Sequence, residues 1–291
     1  MKKEYIYAII SVLLWSTTAT IIKLLLGYLD NIQILFLASF FAFMFLFIIN
    51  CIKGNLKEIK KYKLKDFFKI FILGILGIFL YNLFLYLGIN TLQASKAFII
   101  NYLWPITTVI FACIILKEKI TIRKIIAIII SFIGVIIVSI NGNLFNIEKS
   151  SIIGTIYCFL AAISYGLFSV LNKEQNYNKY ISMMLYYLSS FCISLIYCLC
   201  KKKIFIPEMN QLLGLLWIGV FTSAIAFTLW ALALEKGDTA KISNIAYMTP
   251  FISLVWTSII LKEKLSIYSI IGLIVIIIGI FIQMKNDKKE V

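Results

Sequence analysis

The sequence predicts an all-α integral membrane protein with ten transmembrane helices, arranged as two inverted repeats of five helices each. Three observations predict this class: ten long apolar runs, an uneven distribution of lysine between the connecting loops, and a second half that repeats the first. They bear in turn on the number of spans, on their orientation and on the relation between the two halves.

The apolar runs give the number of spans. The 291 residues are 62% hydrophobic and 14% charged, which is more apolar surface than a soluble domain can bury. A bilayer core of about 30 Å requires about 20 apolar residues per helix. Runs of that kind occupy residues 4–26, 31–50, 67–88, 94–116, 122–141, 150–172, 179–200, 211–234, 240–261 and 266–284. They are too long and continuous for the strands of a membrane barrel. The first run follows two lysines, as a signal peptide would, but it lacks a convincing cleavage site and nine runs follow, so we interpret it as a span.

The basic residues give the orientation. If the N-terminus is cytoplasmic, 20 of the 28 Lys and Arg residues fall on the inner side and 8 on the outer side, with residues 201–203 as the main exception. The positive-inside rule therefore predicts a multi-pass protein of the cell membrane with both termini in the cytoplasm. The net charge of +15 is then a topology signal, and nucleic acid is not expected as a partner. The lysine-rich segment 53–69 lies either on the anionic inner leaflet or in solvent.

The second half of the chain repeats the first. At an offset of 145 residues, "IILKEK" at 114–119 recurs at 259–264, Pro105 falls on Pro250 and Gly134 falls on Gly279. Residues 1–145 and 146–291 are therefore predicted to be two copies of one five-helix unit. Because five is odd, the second copy enters the membrane from the opposite side. Inverted repeats are typical of secondary transporters, which bind substrate between the halves near the midplane; a duplicated scaffold without transport is the alternative.

Residues for catalysis or metal binding are not apparent. The six cysteines lie in or beside apolar runs without a CxxC pair, and the chain contains no histidine. No phosphate-binding loop, GxSxG motif or nucleophile with a base at usable spacing occurs. We therefore predict a protein that is not an enzyme and has no cofactor and no metal.

The repeated "IILKEK" motif and the five-plus-five layout resemble the EamA-type branch of the drug/metabolite transporter superfamily over nearly the whole chain. Within that family, "LLWST" at 13–17 and "NYLWP" at 101–105 resemble the YddG-like aromatic amino acid exporters. The resemblance implies an inner-membrane secondary transporter that exports amino acids, aromatic or other neutral, or related small metabolites by alternating access. S-adenosylmethionine, a nucleotide-linked compound or a cationic drug is the alternative substrate, and a membrane scaffold that transports nothing is the alternative function.

Polar and aromatic residues at mid-span are the candidates for substrate binding. Trp15 and Trp104 fall at the middle of their runs, where an indole N–H without a partner is costly. Pro105 and Pro250 also lie at mid-span, and each leaves the carbonyl four residues earlier without its helical donor. The full candidate set is Trp15, Thr18, Asn82, Tyr86, Asn101, Tyr102, Trp104, Pro105, Tyr165, Trp230, Asn244, Tyr247 and Pro250. Helix packing is the alternative role for each of them.

These candidates suit a small zwitterion with an apolar side chain. The amides of Asn101 and Asn244 and the indole N–H groups can donate to a carboxylate, while freed carbonyls can accept from an ammonium group. Aromatic faces can hold a cation or stack on a ring.

The charged residues bear on energy coupling. No Asp, Glu or His lies at mid-span, so we expect downhill transport without a proton gradient. Glu118 and Glu263 are expected to form local ion pairs with flanking lysines. Lys23, Lys96 and Lys241 lie near helix ends, where they either snorkel or attract anionic substrates.

Overall fold

The fold consists of helices joined by short connections. The computed structural model describes residues 3–117, 121–140, 149–173, 175–236, 245–246 and 248–284, and no strand occurs among them. The eight longer helices are α1 (Lys3–Leu25), α2 (Asn31–Ile52), α3 (Leu64–Thr91), α4 (Ala94–Ile115), α5 (Ile122–Ile140), α6 (Lys149–Lys173), α7 (Lys179–Cys200) and α8 (Met209–Ala233). Two shorter apolar helices follow, α9 (Met248–Ile260) and α10 (Ile267–Met284).

The predicted apolar runs agree closely with these helices, and the all-helical class is confirmed. Helices α1 to α8 are each long and apolar enough to cross a membrane. The ninth and tenth runs coincide with the two shorter helices, and the first residues of the ninth run, 240–244, lie outside the described residues. The count of ten membrane crossings therefore stays a prediction.

The outside of the bundle is apolar and its interior is lined by small and hydroxyl side chains. On α5, six isoleucines that follow the helical period are exposed, namely Ile122, Ile125, Ile126, Ile129, Ile133 and Ile136. The opposite face of the same helix buries Ala127, Ser131 and Gly134. This distribution suits a helix whose large apolar face meets lipid and whose small residues let neighbouring helices approach closely.

Helices α5 and α10 make reciprocal contacts at positions related by the 145-residue offset. A Cβ on Gly134 would lie 2.8 Å from the carbonyl oxygen of Gly272, and a Cβ on Gly279 would lie 2.8 Å from that of Ala127. Between these contacts, the hydroxyl of Ser131 donates to the carbonyl of Ile276 at 3.3 Å. Such reciprocity is what a two-fold relation produces.

A second pair of contacts follows the same pattern. Gly74 on α3 packs against Tyr186 and Ser189 of α7, while Gly219 on α8 packs against Ala38 of α2. The two glycines are again 145 residues apart. These contacts support the predicted division into repeats 1–145 and 146–291, which, with their inversion, stays a prediction.

Four of the long helices are interrupted near their middles. Helix α1 is broken at Thr17 and α4 at residues 102–103, and π-helical turns replace α-helical ones in α3 (Ile75–Leu80) and α8 (Trp217–Ile225). Pro105 lies in the first turn of the second half of α4, where its missing N–H costs least. Interruptions of this kind release backbone and side-chain groups from regular helix packing, and they are frequent at functional sites.

Candidate functional site

A cavity lies where the interrupted parts of α1, α3, α4 and α8 meet α6 and α9. Its volume is about 50 Å³. It is lined by Trp15, Thr18, Tyr81, Asn82, Leu85, Tyr86, Phe98, Asn101, Tyr102, Trp104, Tyr165, Ile218, Thr222, Ser223, Phe227 and Thr249. Every one of these described lining residues is uncharged, so the cavity offers hydrogen bonds and aromatic faces without a net charge.

Most of the residues predicted from the sequence meet at this cavity. The eight that line it are Trp15, Thr18, Asn82, Tyr86, Asn101, Tyr102, Trp104 and Tyr165. Pro105, Trp230 and Pro250 are buried nearby but are not among the lining residues. Asn244 and Tyr247 lie outside the described residues.

Aromatic rings form a continuous wall along the cavity. The ring of Trp104 meets that of Tyr165 edge to face at 5.2 Å, and Tyr165 in turn lies 4.9 Å from Tyr81 and 6.1 Å from Phe227. Phe227 lies 5.0 Å from Trp15. These separations are in the range for favourable aromatic pairs. The wall therefore joins residues of both halves of the chain.

Trp230 packs against Trp15, which is one end of this wall. Its ring centroid lies 5.3 Å from that of Trp15, and the residue is 6% exposed. The indole N–H of Trp15 donates to the carbonyl of Thr222 at 3.1 Å, which ties α1 to the π-helical part of α8. Trp230 thus packs against Trp15 and is not among the residues that line the cavity.

Three polar atoms at the cavity are buried and lack a hydrogen-bond partner. They are Oδ1 of Asn101 and the hydroxyl oxygens of Thr18 and Thr249. Asn101 is 2% exposed, and its Nδ2 makes a long bond of 3.3 Å to the hydroxyl of Tyr81. An unpartnered polar atom in a buried site costs about 1–3 kcal/mol, so three together call for a physical explanation.

Pro250 frees a backbone carbonyl that another side chain of the protein then engages. Pro250 leaves the carbonyl of Ala246 without its helical donor, and the hydroxyl of Tyr102 donates to that carbonyl instead. The freed carbonyl therefore joins α4 to the residues before α9, which corrects the expectation that it faces a ligand. The interaction also links the segment before Pro105, which contains Tyr102, to the repeat-related segment before Pro250.

The break in α1 is held by hydroxyl groups and two indoles. Ser16 and Thr17 each donate to the carbonyl three residues earlier, both at 2.7 Å. Their hydroxyl oxygens accept from the indole N–H groups of Trp256 at 3.2 Å and Trp217 at 2.9 Å. Helices α8 and α9 therefore both hydrogen-bond to α1 at the point where its helix is interrupted, directly beside Thr18.

One end of the bundle is closed by two charged side chains. The carboxylate of Glu263 accepts from the N–H groups of Ala94 at 2.7 Å and Ser95 at 3.0 Å, and from the Ser95 hydroxyl at 2.6 Å. The ammonium of Lys23 donates to the carbonyls of Ile89 at 2.6 Å and Leu92 at 2.8 Å. We call these contacts the end clamp. Within it, Lys23 joins the end of α1 to the end of α3, and Glu263 joins the segment after α9 to the start of α4.

The end clamp corrects two expectations. Glu263 caps the positive N-terminal end of α4 rather than pairing with its flanking lysines, and Lys23 caps the carbonyls at the end of α3 rather than snorkelling. Ala94 precedes Asn101 by seven residues, so the clamp lies roughly 10 Å from the cavity along α4. Glu118, the counterpart of Glu263 in the first repeat, lies outside the described residues.

Five lining residues with useful chemistry were missed by the sequence prediction. They are Tyr81, Thr222, Ser223, Phe227 and Thr249. Thr222 and Ser223 form a polar pair in the middle of an apolar run, and Thr249 directly precedes Pro250, so a signal was present for these three. Tyr81 and Phe227 differ little from the many other aromatic residues of the chain.

Comparison with known proteins points to one family. The model of the EamA-like transporter family matches residues 2–140 and again 152–284. An "Uncharacterized transporter" of Clostridium kluyveri is 27% identical over 310 residues, covering 99% of this chain and 95% of that protein. Another, of Archaeoglobus fulgidus, is 28% identical over 292 residues, covering 98% and 99%. A crystal structure with 17% identity superimposes with a TM-score of 0.71 over 96% of both chains, which shows a common fold.

Proposed function

Because the chain belongs to the EamA-like transporter family, we propose that it is a secondary transporter that carries a small neutral amino acid, aromatic or otherwise, or a related metabolite across the cell membrane. The observation that carries the proposal is the group of three buried, unpartnered polar atoms beside an aromatic wall. Buried polar groups in membrane proteins normally have partners. A ligand that supplies the missing partners explains all three at once.

The chemistry of the cavity favours a zwitterion. An ammonium group has three N–H donors, and Oδ1 of Asn101 with the oxygens of Thr18 and Thr249 offers it three acceptors. Threonine hydroxyls can also donate to a carboxylate. Since the described lining is uncharged, a substrate whose own charges cancel is compensated better than one with a net charge. The cavity therefore suits amino acids better than nucleotide-linked compounds or cationic drugs as substrates.

The volume of the cavity indicates a closed conformation. About 50 Å³ holds a few water molecules, whereas a cavity of about 150 Å³ is needed for benzene. The aromatic wall must therefore separate before an aromatic amino acid can enter. The similarity of "LLWST" and "NYLWP" to YddG-like exporters makes aromatic amino acids the first substrates to test, and smaller neutral amino acids the second.

Two observations support alternating access. The aromatic wall, through the pairs Trp104–Tyr165 and Trp15–Phe227, and the α5–α10 contact both join the two predicted repeats, so a rocking of one against the other changes the cavity. The end clamp must break before the cavity opens at that end of the bundle. With the predicted topology this is the outer end, since α1 begins in the cytoplasm. The clamp is then the outer gate, closed in this conformation.

Energy coupling is proposed to be absent. The uncharged lining offers no group that changes its charge with pH in the physiological range. Transport then runs down the substrate gradient, and export results where the cytoplasmic concentration is higher. The direction is set by the gradient rather than by the fold.

Counterflow into proteoliposomes tests the proposed function. Liposomes preloaded with tryptophan, phenylalanine, threonine, S-adenosylmethionine or a nucleotide sugar are diluted into labelled substrate, and uptake is measured. We expect saturable uptake with one or more neutral amino acids. Uptake with a non-amino-acid metabolite alone would move the assignment to the alternative substrates, and uptake with none, from a folded protein in a wider panel, would favour a scaffold.

A further inference from the structure

A second cavity lies on the outside of the bundle, in a groove between the first half of α3 and the middle of α7. Its volume is about 790 Å³, which is within the range of about 300–1,000 Å³ for ligand sites. Most of the residues that line the groove are apolar, among them Leu64, Phe68, Phe71 and Leu188, and two of them are the lysines Lys65 and Lys69. It is separate from the central cavity, with which it shares no residue.

The packing of α3 on α7 explains why the groove exists. The two helices approach closely at Gly74, where a Cβ would lie 2.8 Å from that of Ser189. Nearer the start of α3, the bulky side chains of Leu64 and Phe68 remain 86% and 66% exposed. The protein therefore leaves an apolar groove at this end that its own side chains do not fill.

Lysines outnumber carboxylates beside the groove. Six exposed lysines precede or line it, namely Lys57, Lys60, Lys61, Lys63, Lys65 and Lys69. The two carboxylates of the same stretch accept hydrogen bonds from neutral donors, Glu58 from the amide of Asn178 and Asp66 from the hydroxyl of Tyr177, both at 3.1 Å. They keep their negative charges, and Asp66 interacts electrostatically with Lys63 and Lys69, so they offset two of the six lysines. Burial and the bond to Asp66 raise the pKa of Tyr177 to about 12, so its hydroxyl remains a donor. The rim of the groove therefore carries a local excess of positive charge.

We propose that this groove binds one anionic phospholipid of the cytoplasmic leaflet, with an acyl chain along Phe68, Phe71 and Leu188 and the phosphate paired with Lys65 and Lys69. The two lysines are one helical turn apart on α3, so both ammonium groups can reach one headgroup. Anionic lipid is attracted by about 1 kcal/mol for each such lysine. The site depends on the predicted cytoplasmic placement of this end and not on the identity of the transported substrate.

A lipid at this position lies next to the interrupted part of α3. The groove ends at Ile70 and Phe71, and the π-helical turn Ile75–Leu80 follows within one helical turn. That turn leads into Tyr81 and Asn82, which line the central cavity. Occupancy of the groove therefore favours one position of α3 relative to α7.

The test measures lipid retention by the full-length protein. Native mass spectrometry in detergent at low ionic strength follows binding of a short-chain phosphatidylglycerol and of the matching phosphatidylcholine. We expect Lys65→Gln with Lys69→Gln to weaken phosphatidylglycerol binding by about fivefold per lysine, hence roughly 25-fold together. The control pair Lys201→Gln with Lys202→Gln removes the same charge at the other end of α7 and should change it little.

A second variant tests the groove itself. Leu188→Trp should fill part of the groove and lower binding of both lipids, while Leu199→Trp, at an exposed site on the same helix, should not. Equal phosphatidylglycerol binding by the lysine pair, its control and the parent protein would overturn the proposal. Competition by inorganic phosphate at equal concentration would also overturn it, in favour of a simple anion site. Because binding is read without transport, failure here leaves the proposed function standing, and the reverse also holds.

Discussion

Asn101→Leu should weaken substrate binding without lowering the stability of the folded protein. Oδ1 of Asn101 is buried without a partner, which costs the folded protein about 1–3 kcal/mol, while the 3.3 Å bond from Nδ2 to Tyr81 returns at most about 1 kcal/mol. Leucine has nearly the same shape and removes both contributions. Because the Tyr81 hydroxyl at the same time loses its donor from Asn101, we expect the folded protein to be about as stable as the parent, within about 1 kcal/mol.

Substrate binding should weaken. A hydrogen bond to the charged ammonium or carboxylate of an amino acid contributes about 1.5–3 kcal/mol, so its loss should weaken apparent affinity by roughly 10-fold to 150-fold. The loss should be similar for all amino acid substrates, because the missing group contacts their common backbone moiety. Counterflow with tryptophan and threonine measures the affinity, and thermal unfolding in detergent measures the stability.

Asn50 provides a matched control. It is also a fully buried asparagine, but its amide nitrogen donates to the carbonyls of Leu46 at 2.9 Å and Tyr180 at 3.1 Å, and its oxygen accepts from Asn55 at 3.1 Å. Asn50→Leu should therefore lower stability without changing substrate affinity in the protein that folds. If Asn101→Leu behaves like Asn50→Leu, with lower stability and unchanged affinity, Asn101 is a packing residue and the proposed substrate site is wrong.

Four further predictions are tested by uptake into liposomes or by labelling of an introduced cysteine. Trp104→Ala removes the ring that meets Tyr165 at 5.2 Å and should weaken affinity for aromatic substrates several-fold relative to aliphatic ones, a stacking effect on the order of 1 kcal/mol; an unchanged ratio would reject the aromatic wall. Glu263→Gln weakens the end clamp by about 1–2 kcal/mol and should raise labelling of a cysteine at Thr249 by an impermeant thiol reagent added outside, in a background without the native cysteines, whereas Glu208→Gln should not; equal labelling would show that the clamp is not a gate. Downhill uptake should survive an ionophore that collapses the proton gradient, and its loss from intact liposomes would demonstrate proton coupling. A cysteine at Lys289 should resist the same reagent in intact cells, and labelling there would place the C-terminus outside.

The positions of the helices could be predicted because they depend on local properties. The length of an apolar run and the charges beside it are read along the chain, and eight of the predicted runs agree with helices long enough to span a membrane. The mid-span tryptophans and Asn101 could also be singled out, because an indole or amide at that depth is costly wherever the helix packs. Eight of the thirteen candidates accordingly line one cavity.

What the sequence could not determine is which group satisfies each polar atom. The freed carbonyl of Ala246 looked available for a ligand and the carboxylate of Glu263 looked paired with its flanking lysines, yet Tyr102 and the start of α4 engage them from more than 140 residues away. Thr249 remains without a partner although its neighbours give no reason for it. Hydrophobic length and charge are properties of a segment, whereas hydrogen-bond partners, the closure of the end clamp and the small volume of the cavity arise from contacts between helices. The sequence by itself therefore determined the helices and the family to which they belong, and the tertiary structure alone decided which buried polar groups lack a partner within the protein.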